Sequence, residues 1–281
     1  MPTQLDNYLF DLRGYLILKN ALSPTEVAEA NQQIDAIPLI ERNEWHGYVH
    51  REDHVDERGI SFQQIYEAGK IFETLIDHPS WMEYVLHYIG GQDNFDSHHG
   101  PLFIDENFAS IRGPGEAIFL HSGGHTGCKR TQFRYRNGGF HCGQINILIA
   151  LTDIGPGDGA TMVIPGSHKS NIEHPRLSGD THLDETEISV DDVEAAEEVH
   201  LKAGDAILFV DAISHGSAKR INEGDRRILV YRYGPSWGSF RWGYTPSKDL
   251  LNRLTPNQRK LVHPQTYRNP PPEALKAAGI L

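Results

Sequence analysis

Cysteine is nearly absent from this chain. Its 281 residues include only Cys128 and Cys142, which excludes a disulfide scaffold and fits a reducing compartment. Their spacing is not that of a zinc site, so both read as free buried thiols. No apolar run approaches the length of a transmembrane helix. The opening residues Met1 to Asp6 carry neither the basic region nor the apolar stretch of a signal peptide. The cytoplasm is therefore the expected location, with no membrane partner. Basic residues are also scarce. Lys and Arg total 26 against 38 Asp and Glu, a net charge of -12, which argues against binding a nucleic-acid polymer, since that needs a basic footprint. A small anionic ligand stays compatible, because local charge can oppose the global sign. There are no internal repeats.

What is present suits a globular enzyme. Hydrophobic residues make up 38% and charged residues 23%, and the length suits one large domain. We expect a single catalytic domain over 1–281, with a helical N-terminal part to about residue 100, a β core over about 101–245 and a tail from 246 to 281. Tyr8 to Lys19 reads as a short helix and a strand. Ser23-Pro24-Thr25-Glu26 is a helix start, with Ser23 as N-cap, Pro24 at the first position and Glu26 closing a capping box. Residues 41–60 read as a polar loop. Phe62 to Ile76 and Trp81 to Ile89 read as helices, the second ending at Gly90-Gly91.

From about residue 101 short β-branched and aromatic runs alternate with Gly and Pro. Strands are expected at Phe103-Ile104, Ala117–His121, Phe140–Thr152, Ala160–Ile164, Glu198–Leu201, Ala206–Val210 and Arg227–Tyr233. Gly155-Pro156-Gly157-Asp158-Gly159 is a tight turn between two of them. Many short strands with such turns point to a mainly β sandwich or jelly roll. Residues 170–197 read as an acidic exposed insert. The tail holds a helix from Asp249 and a turn at Pro270-Pro271-Pro272.

Two histidines stand out by placement. His121 ends the apolar run Ala117-Ile118-Phe119-Leu120 before a Gly-rich loop. His215 lies in Ser214-His215-Gly216, and Arg226 follows eleven residues later. A pair of imidazoles on strands suits a non-haem iron site, and a buried guanidinium suits the carboxylate of a cosubstrate. Arg227, next on the same strand, faces the other way.

These motifs resemble the phytanoyl-CoA dioxygenase-like branch of the iron(II)/2-oxoglutarate oxygenases. The resemblance covers most of the chain. It runs through Arg13-Gly14-Tyr15-Leu16-Ile17-Leu18 and Leu22 to Val27. It continues through Ala150-Leu151-Thr152-Asp153, Gly157-Asp158-Gly159 and Pro165-Gly166-Ser167-His168-Lys169, and ends at His215-Gly216 with Arg226-Arg227. It implies a double-stranded β-helix, or jelly roll, with flanking N-terminal helices. It also implies iron(II) on His121 and His215, 2-oxoglutarate anchored by Arg226, O2 as co-reactant and a small-molecule substrate. It places His168 in a loop outside the iron shell, and it sets no oligomeric state.

One family feature is missing. Two residues after the first histidine the family carries Asp or Glu, and here that position is Gly123. The resemblance shifts toward the halogenases of the class, which carry Gly or Ala there. Without a carboxylate a coordination position opens and a negative charge is lost, so chloride can enter. Backbone N–H groups of Gly123 and Gly124 would assist the anion. Two alternatives stand beside chlorination. A carboxylate from elsewhere, such as Asp105, Glu106 or Asp153, completes a hydroxylase site; or the fold is a catalytically inactive binding protein. The pairs His50/Glu52, His54/Asp56 and His182/Asp184 lie in segments without a strand to hold a ligand rigidly. His141 is the second choice for the first histidine, and His125 is a loop residue.

Substrate clues are local. Lys129, Arg130, Arg134 and Arg136 form a basic cluster after the His121 loop, suited to phosphate or carboxylate. Phe133 and Tyr135 interleave with it and offer stacking faces, as for a nucleotide-like metabolite. Gln144 and Asn146 share one strand face. Asn146 is the amide expected to meet 2-oxoglutarate or substrate. Trp237, Trp242 and Tyr244 follow the last strand as wall or packing residues.

Overall fold

The computed structural model describes residues 1–52, 59–91, 100–122, 131–172, 174–175, 190–238, 244–263 and 276. Two antiparallel sheets face each other. The chain begins with α1 (Gln4–Arg13) and β1 (Tyr15–Leu18), then α2 (Pro24–Asp35), β2 (Trp45–His46), β3 (Val49–Arg51) and β4 (Ile60–Gln63). Two helices follow, α3 (Lys70–Thr74) and α4 (Met82–Ile89). The chain goes on with β5 (Leu102–Arg112) and β6 (Ile118–His121), then β7 (Tyr135–Arg136) and β8 (Gly139–Phe140), which pair as a separate hairpin, then β9 (Ile145–Ala150) and β10 (Thr161–Val163). It continues with β11 (Glu197–Val199), β12 (Ala206–Val210), β13 (His215–Ser217) and β14 (Arg226–Pro235), before α5 (Lys248–Arg253) and α6 (Pro256–Val262). The large sheet has the order β1-β12-β9-β14-β5-β4-β3-β2 and the small one β11-β10-β13-β6. This is the expected jelly roll with flanking helices.

Local chemistry explains the helix starts. Ser23 caps α2, accepting from the Glu26 N–H while Glu26 returns to the Ser23 N–H, with Pro24 inside the first turn; this is the anticipated capping box. α2 buries Ala30 and Ile34. Thr3 and Thr255 close the same box on α1 and α6. α4 ends at Gly90, as expected.

Two segments differ from the sequence reading. Residues 41–60 are not a plain loop: β2 and β3 pair as a hairpin and β3 joins β4 at the end of the large sheet. Phe62, expected to open a helix, belongs to β4, which pairs with β5 from Ile60↔Ile111 to Gln63↔Phe108. Helix resumes only as a 3-10 turn at Ile65–Glu67 and then α3. The short alternation of β4 was masked by apolar residues that continue into those turns. The N-terminal part thus supplies strands to both ends of the large sheet. β5 is also far longer than Phe103-Ile104, because its eleven residues are zipped along β14.

The core lies between the sheets and beneath the helices. Ile145, Ile147 and Ile149 of β9 and Ile207 and Leu208 of β12 are fully buried. Phe10 of α1 stacks on Tyr88 of α4 at 3.8 Å. No described helix is long and apolar enough to cross a membrane. Cys142 is buried, and burial pushes its thiol well above the usual range. Cys128, most of the acidic insert and the triple-proline turn lie outside the described residues.

Candidate active site

β6 and β13 are neighbours in the small sheet, and their register puts His215 directly opposite His121. The two rings sit with centroids 4.2 Å apart and planes at 55°. Cross-strand partners on one sheet face approach this closely without strain. Between Ser217↔Ile118 and His215↔His121 the register shifts, so β6 spends one more residue than β13 over that stretch. The approach of the strands is tight. A Cβ on Gly216 would lie 2.5 Å from the Ile118 carbonyl oxygen and 2.8 Å from that of Phe119. Only glycine fits between the two histidine-bearing strands.

Each histidine is held by its own strand. Nδ1 of His121 lies 3.2 Å from the Phe119 carbonyl, and Nδ1 of His215 lies 2.8 Å from the Ile213 carbonyl. A carbonyl can only accept, so Nδ1 carries the proton and Nε2 the lone pair. That is the tautomer a metal needs, fixed by the hydrogen bond on the far nitrogen. Burial, then the neighbouring His215, pushes His121 down to about 3, so its ring is neutral at physiological pH. Phe209 of β12 backs the pair, 4.8 Å from the His215 ring.

Arg226 opens β14 opposite Arg112 of β5. It is 4% exposed. Its Nη1 donates to Ser217 Oγ at 2.6 Å and to the Gly159 carbonyl. Arg112, fully buried, donates to the same Ser217 hydroxyl at 3.2 Å and to the carbonyls of Ala218, Gly115 and Glu116. Arg220 adjoins them and is paired with Asp158 at 3.0 Å. Among the described contacts of Arg112 and Arg226 there is no carboxylate. Burial, then the charges of Arg112 and Arg220, lowers Arg226 to about 9. A buried guanidinium with only neutral partners is costly, and an anionic ligand relieves it. Ser217 is two residues along β13 from His215, so the guanidinium sits roughly 6–7 Å along the strand from the histidine.

Asn146 lies on the inner face of β9, opposite Phe209 and Arg232. Its Nδ2 donates to Asp211 Oδ1 at 3.0 Å, and its own Oδ1 is buried without a partner. Asp211 is 1% exposed, and its charge acts on His121. The sequence reading missed Asp211. The carboxylates weighed instead are bonded to other groups. Asp153 is at the surface, accepting from Lys202 Nζ and the Ala203 N–H at 2.9 Å. Asp105 accepts from Gln144 Nε2 at 2.9 Å and Glu106 from Arg232 Nη1 at 2.6 Å. Ser217 and Arg112 were also missed. A serine two residues after a strand histidine shares its face, a signal available in the sequence; the role of Arg112 needed the register.

Gly123 and Arg130 lie outside the described residues, as do His125, His54/Asp56, His182/Asp184 and Trp242. Arg134 and Arg136 are exposed on the β7–β8 hairpin. Phe133 packs in an aromatic cluster with Phe10, Phe140 and His168. The structure thus brings His121, His215, Arg226 and Asn146 to the space between the sheets, and places Phe133 under α1. His50 is bonded to Tyr244 Oη at 2.8 Å and stacked on Trp45. His141 follows β8 in the hairpin, its N–H on the Arg134 carbonyl. His168 is structural: it is buried, with Nε2 donating to the Asp11 carbonyl at 3.0 Å.

The comparisons with known proteins agree with this geometry. The chain is 24% identical over 280 residues to the dioxygenase cdmD of Talaromyces verruculosus, covering 91% of this chain and 82% of that one. It is 34% identical over 133 residues to the iron/alpha-ketoglutarate-dependent dioxygenase penM of Penicillium thymicola, covering 47% of this chain and 38% of the relative. Among solved structures, HygX from Streptomyces hygroscopicus with nickel and 2-oxoglutarate bound superposes with a TM-score of 0.69 at 21% identity, covering 88% of this chain and 93% of that one. The phytanoyl-CoA dioxygenase (PhyH) family profile matches residues 10–228. The chain therefore belongs to the phytanoyl-CoA dioxygenase family, dioxygenases of the iron(II)/2-oxoglutarate type.

Proposed function

We propose that this protein oxidises an unactivated C–H bond of a small molecule, with hydroxylation as the outcome. The observation that carries the reading is the facing pair His121–His215 next to a buried Arg226 that has no carboxylate partner among the described residues. The donors fit the group they would hold: two imidazoles with ring centroids 4.2 Å apart each commit Nδ1 to a backbone carbonyl, and a guanidinium stands one strand step away. When bound, iron(II) with 2-oxoglutarate supplies the activation of O2. The chain's own residues do the rest. The Phe119 and Ile213 carbonyls hold both rings in the ligating tautomer. Arg226, steered by Ser217, takes the distal carboxylate of the cosubstrate as a fork, and Arg112 adds positive charge behind it. Asn146 offers its free Oδ1 into the same space. Apolar walls, Phe209 among them, exclude water and strengthen each of these contacts.

Asp211 supports hydroxylation. It is a buried carboxylate whose charge acts on His121; among the described residues it does not complete a three-residue metal cluster with the two histidines, so it would act by its charge and through Asn146, whose Nδ2 it accepts. The named relatives are dioxygenases as well. A second reading, chlorination, rests on one observation: the residue two after His121 is Gly123, without a side chain to occupy the iron. The test is an anaerobic titration with Fe(II) and 2-oxoglutarate, watched by the visible charge-transfer band, with and without chloride. A band that ignores chloride and changes in Asp211→Asn supports hydroxylation. A chloride-dependent shift in wild type supports chlorination, and Gly123→Asp should then abolish it. Absence of any band sinks the iron site.

A further inference from the structure

The inner face of the large sheet carries a second polar grouping beyond Arg226. Register places Gln63 of β4 opposite Phe108, Glu106 of β5 opposite Arg232, and Arg232 of β14 opposite Asn146 of β9. These side chains therefore form one row across four strands. Gln63 Nε2 donates to Glu106 Oε1 at 3.1 Å, and Arg232 Nη1 donates to Glu106 Oε2 at 2.6 Å. The guanidinium of Arg232 lies 5.2 Å over the Phe108 ring. At the far end Asn146 donates to Asp211 and Gln144 to Asp105. The register shift between Arg232 and Tyr233 puts Asp105 in the bulge beside Glu106, where the local twist re-aims side chains.

The row faces the histidines. Phe209, cross-strand partner of Asn146, lies with its ring 4.8 Å from that of His215. The chemistry of the row is one-sided. Three amide oxygens are buried without a donor: Gln63 Oε1, Gln144 Oε1 and Asn146 Oδ1, on residues no more than 1% exposed. Each such acceptor is costly unless a ligand or water donates to it. Among the described residues the matching orphan donor on the row is a single group, Arg232 Nε. Beyond Gln63 the row ends in an aromatic group. His50 stacks on Trp45 at 4.5 Å, and Tyr244 meets Trp45 edge-on at 5.5 Å. Trp45 is 50% exposed, so a flat apolar face is available at the rim.

From this we infer that the molecule oxidised is rich in hydrogen-bond donors, a polyol or amino-polyol of sugar size. Its hydroxyl or amine hydrogens would go to the three orphan amide oxygens, and its C–H face to Trp45. The inference rests on the histidine pair being the reaction centre. It departs from the anionic substrate expected from Arg130, Arg134 and Arg136, because the row facing the histidines accepts hydrogen bonds and a phosphate has few to give.

The experiment uses the full chain, both metal-free and loaded with Zn(II) and 2-oxoglutarate, in saturation-transfer NMR. One set of probes is methyl α-glucopyranoside, maltotriose, myo-inositol and glucosamine; the other is AMP and hexanoate. We expect transfer to members of the first set, weakened about tenfold or more in Gln63→Leu and in Glu106→Leu, as for loss of a buried hydrogen bond. Far-UV circular dichroism checks that each variant is folded; if Glu106→Leu is not, Gln63→Leu alone decides. Transfer only to AMP or hexanoate, to neither set, or to polyols with both variants unchanged overturns the inference. If polyols bind but Zn(II) and 2-oxoglutarate do not, it is the metal reading that fails.

Discussion

At the scale of single residues, glycine and arginine set the site as firmly as histidine does. Gly216 lets β13 lie against β6, and a methyl group there would meet the Ile118 carbonyl oxygen at 2.5 Å. That atom is backbone and cannot swing away. Gly216→Ala should therefore push the strands apart, cost about 1–3 kcal/mol and weaken metal binding by misaligning His215 from His121. Thermal unfolding with a parallel metal titration checks both; unchanged metal affinity would show that the pair tolerates the shift. Arg226 makes a different demand. Lysine keeps the charge and loses the planar fork, so Arg226→Lys should raise the Kd for 2-oxoglutarate about tenfold or more. An unaltered Kd by calorimetry would remove Arg226 from the cosubstrate. The conspicuous histidines and Arg226 could be picked out in the linear sequence because they sit at strand ends with the right neighbours. Asp211 and Arg232 could not, since nothing local distinguishes a site carboxylate from a surface one.

At the scale of elements, β12 depends on the turn that launches it. Asp205, 3% exposed, accepts from Lys19 Nζ and the N–H groups of Asn20 and Lys202, at 2.8 to 3.0 Å. It thereby ties β12 to the end of β1, its antiparallel neighbour. Burial raises the carboxyl, but Lys19 and the two N–H groups together outweigh it and hold it below the usual range. Asp205→Ala removes three hydrogen bonds to one buried carboxylate and should cost about 1–2 kcal/mol, measured as a lower urea midpoint. The carboxylate's contribution is present above its unfolded pKa and is lost as the pH falls through the lower folded value, so the variant's deficit should shrink in strong acid. The role of Asp205 in clamping a distant strand was not legible, because Lys19 and Asn20 are far away in the chain.

At the scale of the whole molecule, the helical N-terminus and the barrel are joined at His168. The Pro-Gly-Ser-His turn lays this ring against Phe133 and Gly14, with Nε2 on the Asp11 carbonyl. Burial lowers His168 to about 4, the Asp11 carbonyl opposing in part. The unfolded chain takes up that proton near 6.5, so between 6.5 and 4 the unfolded state binds more protons. The protein should lose about 3 kcal/mol from this group over that window. His168→Gln, which keeps a donor, should flatten the acid limb of the stability curve relative to wild type. Parallel limbs in denaturant titrations at pH 7, 5.5 and 4 would show that His168 does not titrate as a buried group.

The amino-acid sequence by itself determined the element types wherever chemistry is local. The capping boxes, the Gly90 stop and the apolar runs of β9 and β12 follow from periodicity and short-range hydrogen bonding. The family motifs put His121, His215 and Arg226 in strands, and the structure pairs the two histidines across β6 and β13 and sets Arg226 at the head of β14. Only the tertiary structure decided which side chains meet. Strand β4 was read as helix because what makes it a strand is pairing with β5, a partner distant in the sequence. The basic cluster was expected at the pocket because it follows His121 in order, yet Arg134 and Arg136 ended on an exposed hairpin. Sequence order carries no information about which face of a sheet a hairpin folds over. The acceptor-rich row exists because register across four strands aligns Gln63, Glu106, Arg232 and Asn146, and register is a property of the paired sheet rather than of any one strand.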